Sequence, residues 1–266
     1  MHDIFHHWAD ETVVANDPLL QKKVAYLNVP FFYVRAALYF VIWTFMGRYL
    51  WIRSVRQDET GDHDTSRLLR NRSAPFLFLF ALSVTYAVFD WIMSLDPHWY
   101  STMYGVYFFS GSAVGIFAML TVVCMGLQRG GMLRGIINAE HYHDIGKYLF
   151  AFTIFWSYIA FCQYMLIWYA NMPEETMWFE HRQLGGWENI GIMLMVCHFG
   201  IPMFFLMSRH IKRIRATLFI GSLWMLGIHY VDLYWQIMPV HHHHFHPPIL
   251  NIGVVYLQVL MILCKL

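Results

Sequence analysis

Apolar residues in this chain come in long blocks, each about as long as a bilayer is thick. A helix that crosses a membrane needs roughly 20 mostly apolar residues. Seven stretches meet that length: 30–51, 75–95, 104–126, 147–170, 187–208, 217–238 and 249–266, the last short by a few residues. The pattern predicts an all-α fold, a polytopic transmembrane helical bundle of about seven spans. Residues 1–29 form a separate N-terminal segment and 30–266 the transmembrane domain. The N-terminal segment holds Asp10, Glu11, Asp17 and Pro18-Leu19-Leu20, which read as a short interfacial helix. Residues 54–74, with Gln57-Asp58-Glu59-Thr60-Gly61-Asp62, read as a mobile loop.

Basic residues orient the bundle, because Lys and Arg concentrate in cytoplasmic loops. One set of connections carries Arg53, Arg56, Arg67, Arg70 and Arg72, then Arg129 and Arg134, then Arg209, Lys212, Arg213 and Arg215. The other set is Asp96-Pro97-His98-Trp99, then Asn171 to Gly186 with Arg182 alone, then Gln236 to Pro248 with none. The bias alternates through every loop, and only Lys22 and Lys23 in the N-terminal segment dilute it. Residues 1–29 are therefore expected on the periplasm-like side.

Composition agrees with a membrane protein. Of 266 residues, 58% are hydrophobic, 18% aromatic and 13% charged, against about 25% charged in a soluble domain. The net charge of +1 offers no basic face to nucleic acid. Cys124, Cys162, Cys197 and Cys264 stand singly in apolar runs, so zinc sites, covalent haem and a disulfide framework are not indicated. Neither a phosphate-binding glycine loop nor a nucleophile elbow is present. The opening lacks the basic and apolar regions of a signal peptide, and the chain stops inside the apolar run Gly253 to Leu266. A piece of a longer protein is the expectation.

Ionisable groups inside spans are expensive and mark proton, ion or cofactor paths by default. Asp90 lies in the second span and Asp232 in the sixth. Counted at about 1.5 Å per residue, Arg35, Asp90 and Asp232 sit roughly 7–10 Å inside the periplasm-like surface. Glu188 opens the fifth span, and Gln163, His198 and His229 lie a turn or two deeper. Together they suggest one polar layer, Asp90, Asp232, Gln163, Arg35, Glu188 and His198, for proton relay or quinone contact. Three acids against one buried base leave at least one carboxyl without a cation, able to hold and pass a proton. The bland alternative pairs Asp90 with Arg35 as a helix lock, sets Asp232 on a tyrosine, and makes the chain a structural scaffold. A third reading lets His198 and His229 ligate a b-type haem, although a second histidine pair is missing. The run Val240-His241-His242-His243-His244-Phe245-His246 reads as a solvated loop without fixed metal geometry. His141-Tyr142-His143-Asp144 precedes the fourth span, with Asp144 as a first-turn acid.

Several motifs taken together resemble a known family. They are Lys23-Val24-Ala25-Tyr26-Leu27-Asn28-Val29-Pro30, Phe89-Asp90-Trp91-Ile92-Met93-Ser94-Leu95-Asp96-Pro97-His98-Trp99, His143-Asp144-Ile145-Gly146-Lys147, Phe161-Cys162-Gln163-Tyr164-Met165 through Glu175, and Val231-Asp232-Leu233-Tyr234-Trp235. They resemble the NrfD-like membrane subunits of bacterial alternative complex III, a quinol:cytochrome c or quinol:oxidase electron-transfer complex. The resemblance implies a bacterial cytoplasmic membrane and electron-transport partners. These would be an NrfD-like companion subunit, an iron–sulfur subunit and c-type cytochromes, with lipid around the bundle and no nucleic acid. It also implies that this chain binds no redox cofactor of its own, with quinone or quinol as its one expected small-molecule contact. Family members are longer, and the seven spans would be their C-terminal seven. Asp90, Asp232 and Gln163 fall inside the matching motifs, so a polar role carries over to them; Arg35, Glu188 and His198 carry over more weakly.

Overall fold

A computed structural model describes residues 5–240; the seventh expected span, the histidine run and Cys264 lie outside the described residues. Of the described residues 84% are helical and none lies in a strand. Among the described residues six helices are long and apolar enough to cross a membrane, which makes this an all-α, multi-pass membrane protein. Between 22% and 61% of each span's most apolar window is buried. Large apolar side chains such as Phe78, Trp168 and Phe204 stand more than 60% exposed, as lipid-facing positions do. The described residues form two compact units, one up to Gly105 and one from Val106.

In the first unit the N-terminal segment is three short helices rather than one. They are α1 (His6–Ala9), α2 (Glu11–Asn16) and α3 (Pro18–Lys23). Each break has a local cause. Asp10 caps α2 by accepting from the Thr12 amide, and Asp17 caps α3 by accepting from the Leu19 and Leu20 amides ahead of Pro18. The segment is docked: Trp8, Ala9 and Phe32 share a buried cluster, and the Trp8 indole donates to the Ser94 carbonyl at 3.1 Å. Each large apolar side chain buried there contributes about 1.5–3 kcal/mol.

Two long helices follow, α4 (Val29–Thr60) and α5 (His63–Trp91), then a 3-10 turn, Met93–Leu95. The mobile loop expected over 54–74 is instead a helical hairpin closed by Gly61 and Asp62 alone. Gly61 takes the left-handed conformation (φ 65°) that ends α4, and Asp62 caps α5 through the Asp64 amide. The polar residues around them are good helix formers, so both helices continue past the apolar block. The Trp43 indole donates to the Ser83 hydroxyl at 2.9 Å and ties α4 to α5 within the apolar zone.

The second unit takes most of α6 (Tyr104–Arg129), then α7 (Ala139–Ala170), α8 (Pro173–Glu180) and α9 (Trp187–Leu194). A π-helical turn, Met195–Gly200, joins α9 to α10 (Ile201–Met207) in one span. Then come α11 (Arg209–Arg213) and α12 (Arg215–Ile237). Helix α7 starts eight residues ahead of the expected 147, at a capping box in which Asn138 and His141 exchange hydrogen bonds. Asp144 is thus past the first turn and pairs with Lys147 at 2.7 Å. The π turn precedes Pro202, whose ring would crowd the His198 carbonyl in a regular helix, so the widened turn has a steric reason.

Candidate functional site

The first unit places Asp90 and Arg35 together. The Arg35 Nε donates to the Asp90 Oδ2 at 2.8 Å, and both side chains are buried. The Tyr39 hydroxyl donates to the same oxygen at 2.7 Å. Arg35 is held from behind as well. Its Nη1 donates to the Tyr26 carbonyl at 2.8 Å, and its guanidinium lies over the Tyr26 and Phe31 rings at 3.9 and 4.3 Å. This cluster locks α4 against α5.

The second unit builds a different cluster around Asp232, which is wholly buried. The Tyr107 hydroxyl donates to its Oδ1 at 2.9 Å; the Trp156 indole and the Gln236 amide donate to Oδ2 at 3.2 and 3.0 Å. All three donors are neutral. No lysine or arginine ion-pairs with Asp232 among the described residues. The His229 Nδ1 stands 3.9 Å from Oδ2. His198 is wholly buried, its ring stacked on Trp156 at 3.9 Å between centroids and 6.2 Å from the His229 ring. Neither ring nitrogen of His198 has a hydrogen-bond partner. Leaving a buried donor unsatisfied costs about 1–3 kcal/mol, and such groups in a native fold ask for a reason. Gly111 and Gly115, one turn apart on α6, let the His229 ring lie against that helix; a Cβ at either would stand 3.1 or 3.0 Å from the imidazole.

His198, His229 and Asp232 each bring a ligand atom within 4.8 Å of the others, so the trio has the donors for a metal ion. The Asp232 oxygens, however, already accept three hydrogen bonds, which leaves one of the carboxylate's roughly four lone-pair sites open to an ion.

A cavity of about 680 Å³ opens beside the cluster. Tyr107 and Trp156, two of the three donors to Asp232, form part of its wall, with Phe161, Phe199 and Trp235 apolar and Arg182 and Glu188 polar. Glu188 itself is exposed at the start of α9 and accepts from the Gly186 amide at 3.0 Å. Gln163 is buried in α7 with its Oε1 unpartnered.

Arg35 and Asp90 belong to the first unit; Asp232, Gln163, Glu188 and His198 belong to the second. Sequence reasoning missed Tyr107, Trp156 and Gln236, since neutral donors carry no signal in a chain with 18% aromatic residues. It also passed over Arg182, which is 1% exposed. Arg182 donates to the carbonyls of Trp178, Trp235 and Gln236 at 2.8, 3.2 and 2.6 Å and stacks on Trp178. It satisfies carbonyls at the end of α12, where a cation also opposes the helix dipole. The lone arginine of its loop set is therefore a buried staple. The chain matches no protein-family model and no curated protein.

Proposed function

We propose that this chain is a multi-span subunit of a respiratory quinol-oxidising complex in a bacterial cytoplasmic membrane, and that its own task is to pass protons. The respiratory part rests on the resemblance of its motifs to the NrfD-like membrane subunits of alternative complex III. That resemblance also supplies the expected partners: an NrfD-like companion, an iron–sulfur subunit and c-type cytochromes. The proton-passing part rests on one observation, the contrast between the two buried aspartates. Asp90 is fixed by a guanidinium, whereas Asp232 is enclosed by three neutral donors with two imidazoles next to it.

The chemistry follows from that contrast. Tyr107, Trp156 and Gln236 stabilise the Asp232 carboxylate when it is ionised, and no cation holds it there, so taking up a proton breaks no ion pair. The gap of 3.9 Å to His229 Nδ1 closes with one side-chain adjustment or one bridging water. An imidazole accepts at one nitrogen and releases from the other, which makes His229 and then His198 the next carriers. On this reading the Arg35–Asp90 pair is structural, and the polar face toward the periplasm is the exit.

Asp232→Asn tests the assignment, since an amide keeps the shape and cannot carry the proton. In proteoliposomes holding the assembled complex, turnover coupled to proton release falls about a hundredfold, the low end for a positioned proton-transfer group. Wild-type coupled turnover in a stably assembled variant would refute the relay. A variant with lowered stability and unchanged turnover would make the chain a scaffold. Failure of the chain to co-purify with haem and iron–sulfur subunits would separately refute the respiratory assignment.

The cavity favours a second reading, contact with a quinone ring. Its volume lies in the range of about 300–1,000 Å³ that small ligands use, and its wall includes two of the donors to Asp232. Ala160 lines it, so Ala160→Phe would fill it. A quinone contact predicts an increase of about tenfold or more in the quinol KM, from loss of pocket contacts. A pure proton path predicts an unchanged KM.

A further inference from the structure

At the other end of the second unit, where α6 stops and α7 and α12 begin, lies a cavity of about 860 Å³. Three arginines line it: Arg129 at the end of α6, Arg134 in the connection, and Arg215 at the start of α12. Its floor is fixed. Gln128 donates to the Ile137 carbonyl at 2.8 Å and accepts from the Tyr142 hydroxyl at 3.0 Å, tying α6, the connection and α7 together. Two guanidiniums rest over aromatic faces, Arg129 over Phe219 and Arg215 over Tyr142, each at 5.7 Å. Glu140, in the first turn of α7, is engaged by Arg213 instead. Among the described residues none of the three arginines has a carboxylate partner. Helix α12 starts here without a side-chain cap, which adds the positive end of its dipole.

Three unmatched positive charges around a pocket of fixed shape ask for an anion. The pocket sits at the ends of membrane-crossing helices, and apolar residues continue from it along α12: Phe219 lines it, and Ile220 beside it is 63% exposed. We infer that this cavity binds an anionic phospholipid, with its phosphate between Arg129, Arg134 and Arg215 and an acyl chain along Phe219 and Ile220. Guanidinium groups suit phosphate oxygens through paired donors. With no free carboxylate in the wall, nothing there would meet the ammonium of a zwitterionic headgroup. The inference is independent of the proton path, and no residue is shared between the two sites.

The test is a titration of the purified full chain in detergent with short-chain phosphatidylglycerol, short-chain phosphatidylcholine, or inorganic phosphate, read by native mass spectrometry and thermal stability. Phosphatidylglycerol binds saturably and raises the melting temperature, while the other two do so only at far higher concentration. Each arginine replaced by glutamine weakens binding about fivefold, and the R129Q/R134Q/R215Q variant about a hundredfold. A triple lysine variant, which keeps the charge, retains the preference for phosphatidylglycerol. Equal binding of phosphatidylcholine, or full phosphatidylglycerol affinity in the glutamine variant, would overturn the inference. Inorganic phosphate binding as tightly as the lipid would also overturn it, since the site would then belong to a soluble anion.

Discussion

Removing the Arg35 side chain separates a structural ion pair from a working one. Arg35→Met keeps the length and apolar stem of the side chain but strips the charge from a partner only 1% exposed. Asp90 is left with neutral tyrosine hydroxyls, Tyr39 at 2.7 Å and Tyr26 beside it, and no cation. Breaking a buried pair from one side costs about 3–5 kcal/mol, because the surviving charge stays buried and uncompensated. The bilayer interior offers no water to rescue it. The variant is expected to unfold in detergent with a free energy lower by that amount, measured by denaturant titration with tryptophan fluorescence; Trp43 and Trp91 lie close to the pair.

Removing both partners changes the prediction. In Arg35→Met/Asp90→Leu no charge is left behind, and replacing a buried pair by apolar residues is often neutral or stabilising. The double variant forfeits the Tyr39 hydrogen bond, the bond from Arg35 to the Tyr26 carbonyl and the guanidinium stacking, together about 2–3 kcal/mol. It should therefore be more stable than the single variant. A single variant that loses less than about 1 kcal/mol, or a double variant no better than the single, would refute the reasoning. Either result would mean that the Arg35–Asp90 pair contributes little to holding α4 against α5, and the lock assigned to it would fall.

Two further outcomes follow. A Gly115→Ala Cβ would stand 3.0 Å from the His229 Cδ2, so the ring must shift by a few tenths of an ångström; coupled turnover should fall several-fold while the melting temperature barely moves, and equal turnover would argue against His229 as a carrier. Asp17 accepts from His98 at 2.5 Å and from the Leu19 and Leu20 amides, and these bonds, His98 foremost, hold its carboxyl below the ordinary value of about 3.9. Because the folded value is the depressed one, this anchoring is fully present above about pH 4 and is lost as the pH falls through the lowered value. Protease cleavage of residues 5–28 should rise over that interval, and Asp17→Asn should abolish the step.

The spans were legible because the bilayer fixes their length, and a block of apolar residues that long has few other uses. Their ends were not. Between residues 52 and 74 the apolar signal stops while the helices continue, and hydropathy alone cannot register a helix made of Arg, Gln, Asp and Glu. The local signals were present all the same: Gly61 for a left-handed stop and Asp62 for the next cap, adjacent in the chain. The buried aspartates were legible one at a time, since a charge in an apolar run stands out. Their difference was not, because depth counting gave them one layer. What separates them is the company each keeps, an arginine 55 residues away in one case and a tyrosine 125 residues away in the other. Only the arginine had the charge to announce itself. The same reason hid Arg182: its loop position suggested a surface charge, and only the three carbonyls around it show that the helix end of α12 depends on it. In a membrane chain, then, charge locates the candidates, and the partners around each candidate, charged or neutral, set how it is held.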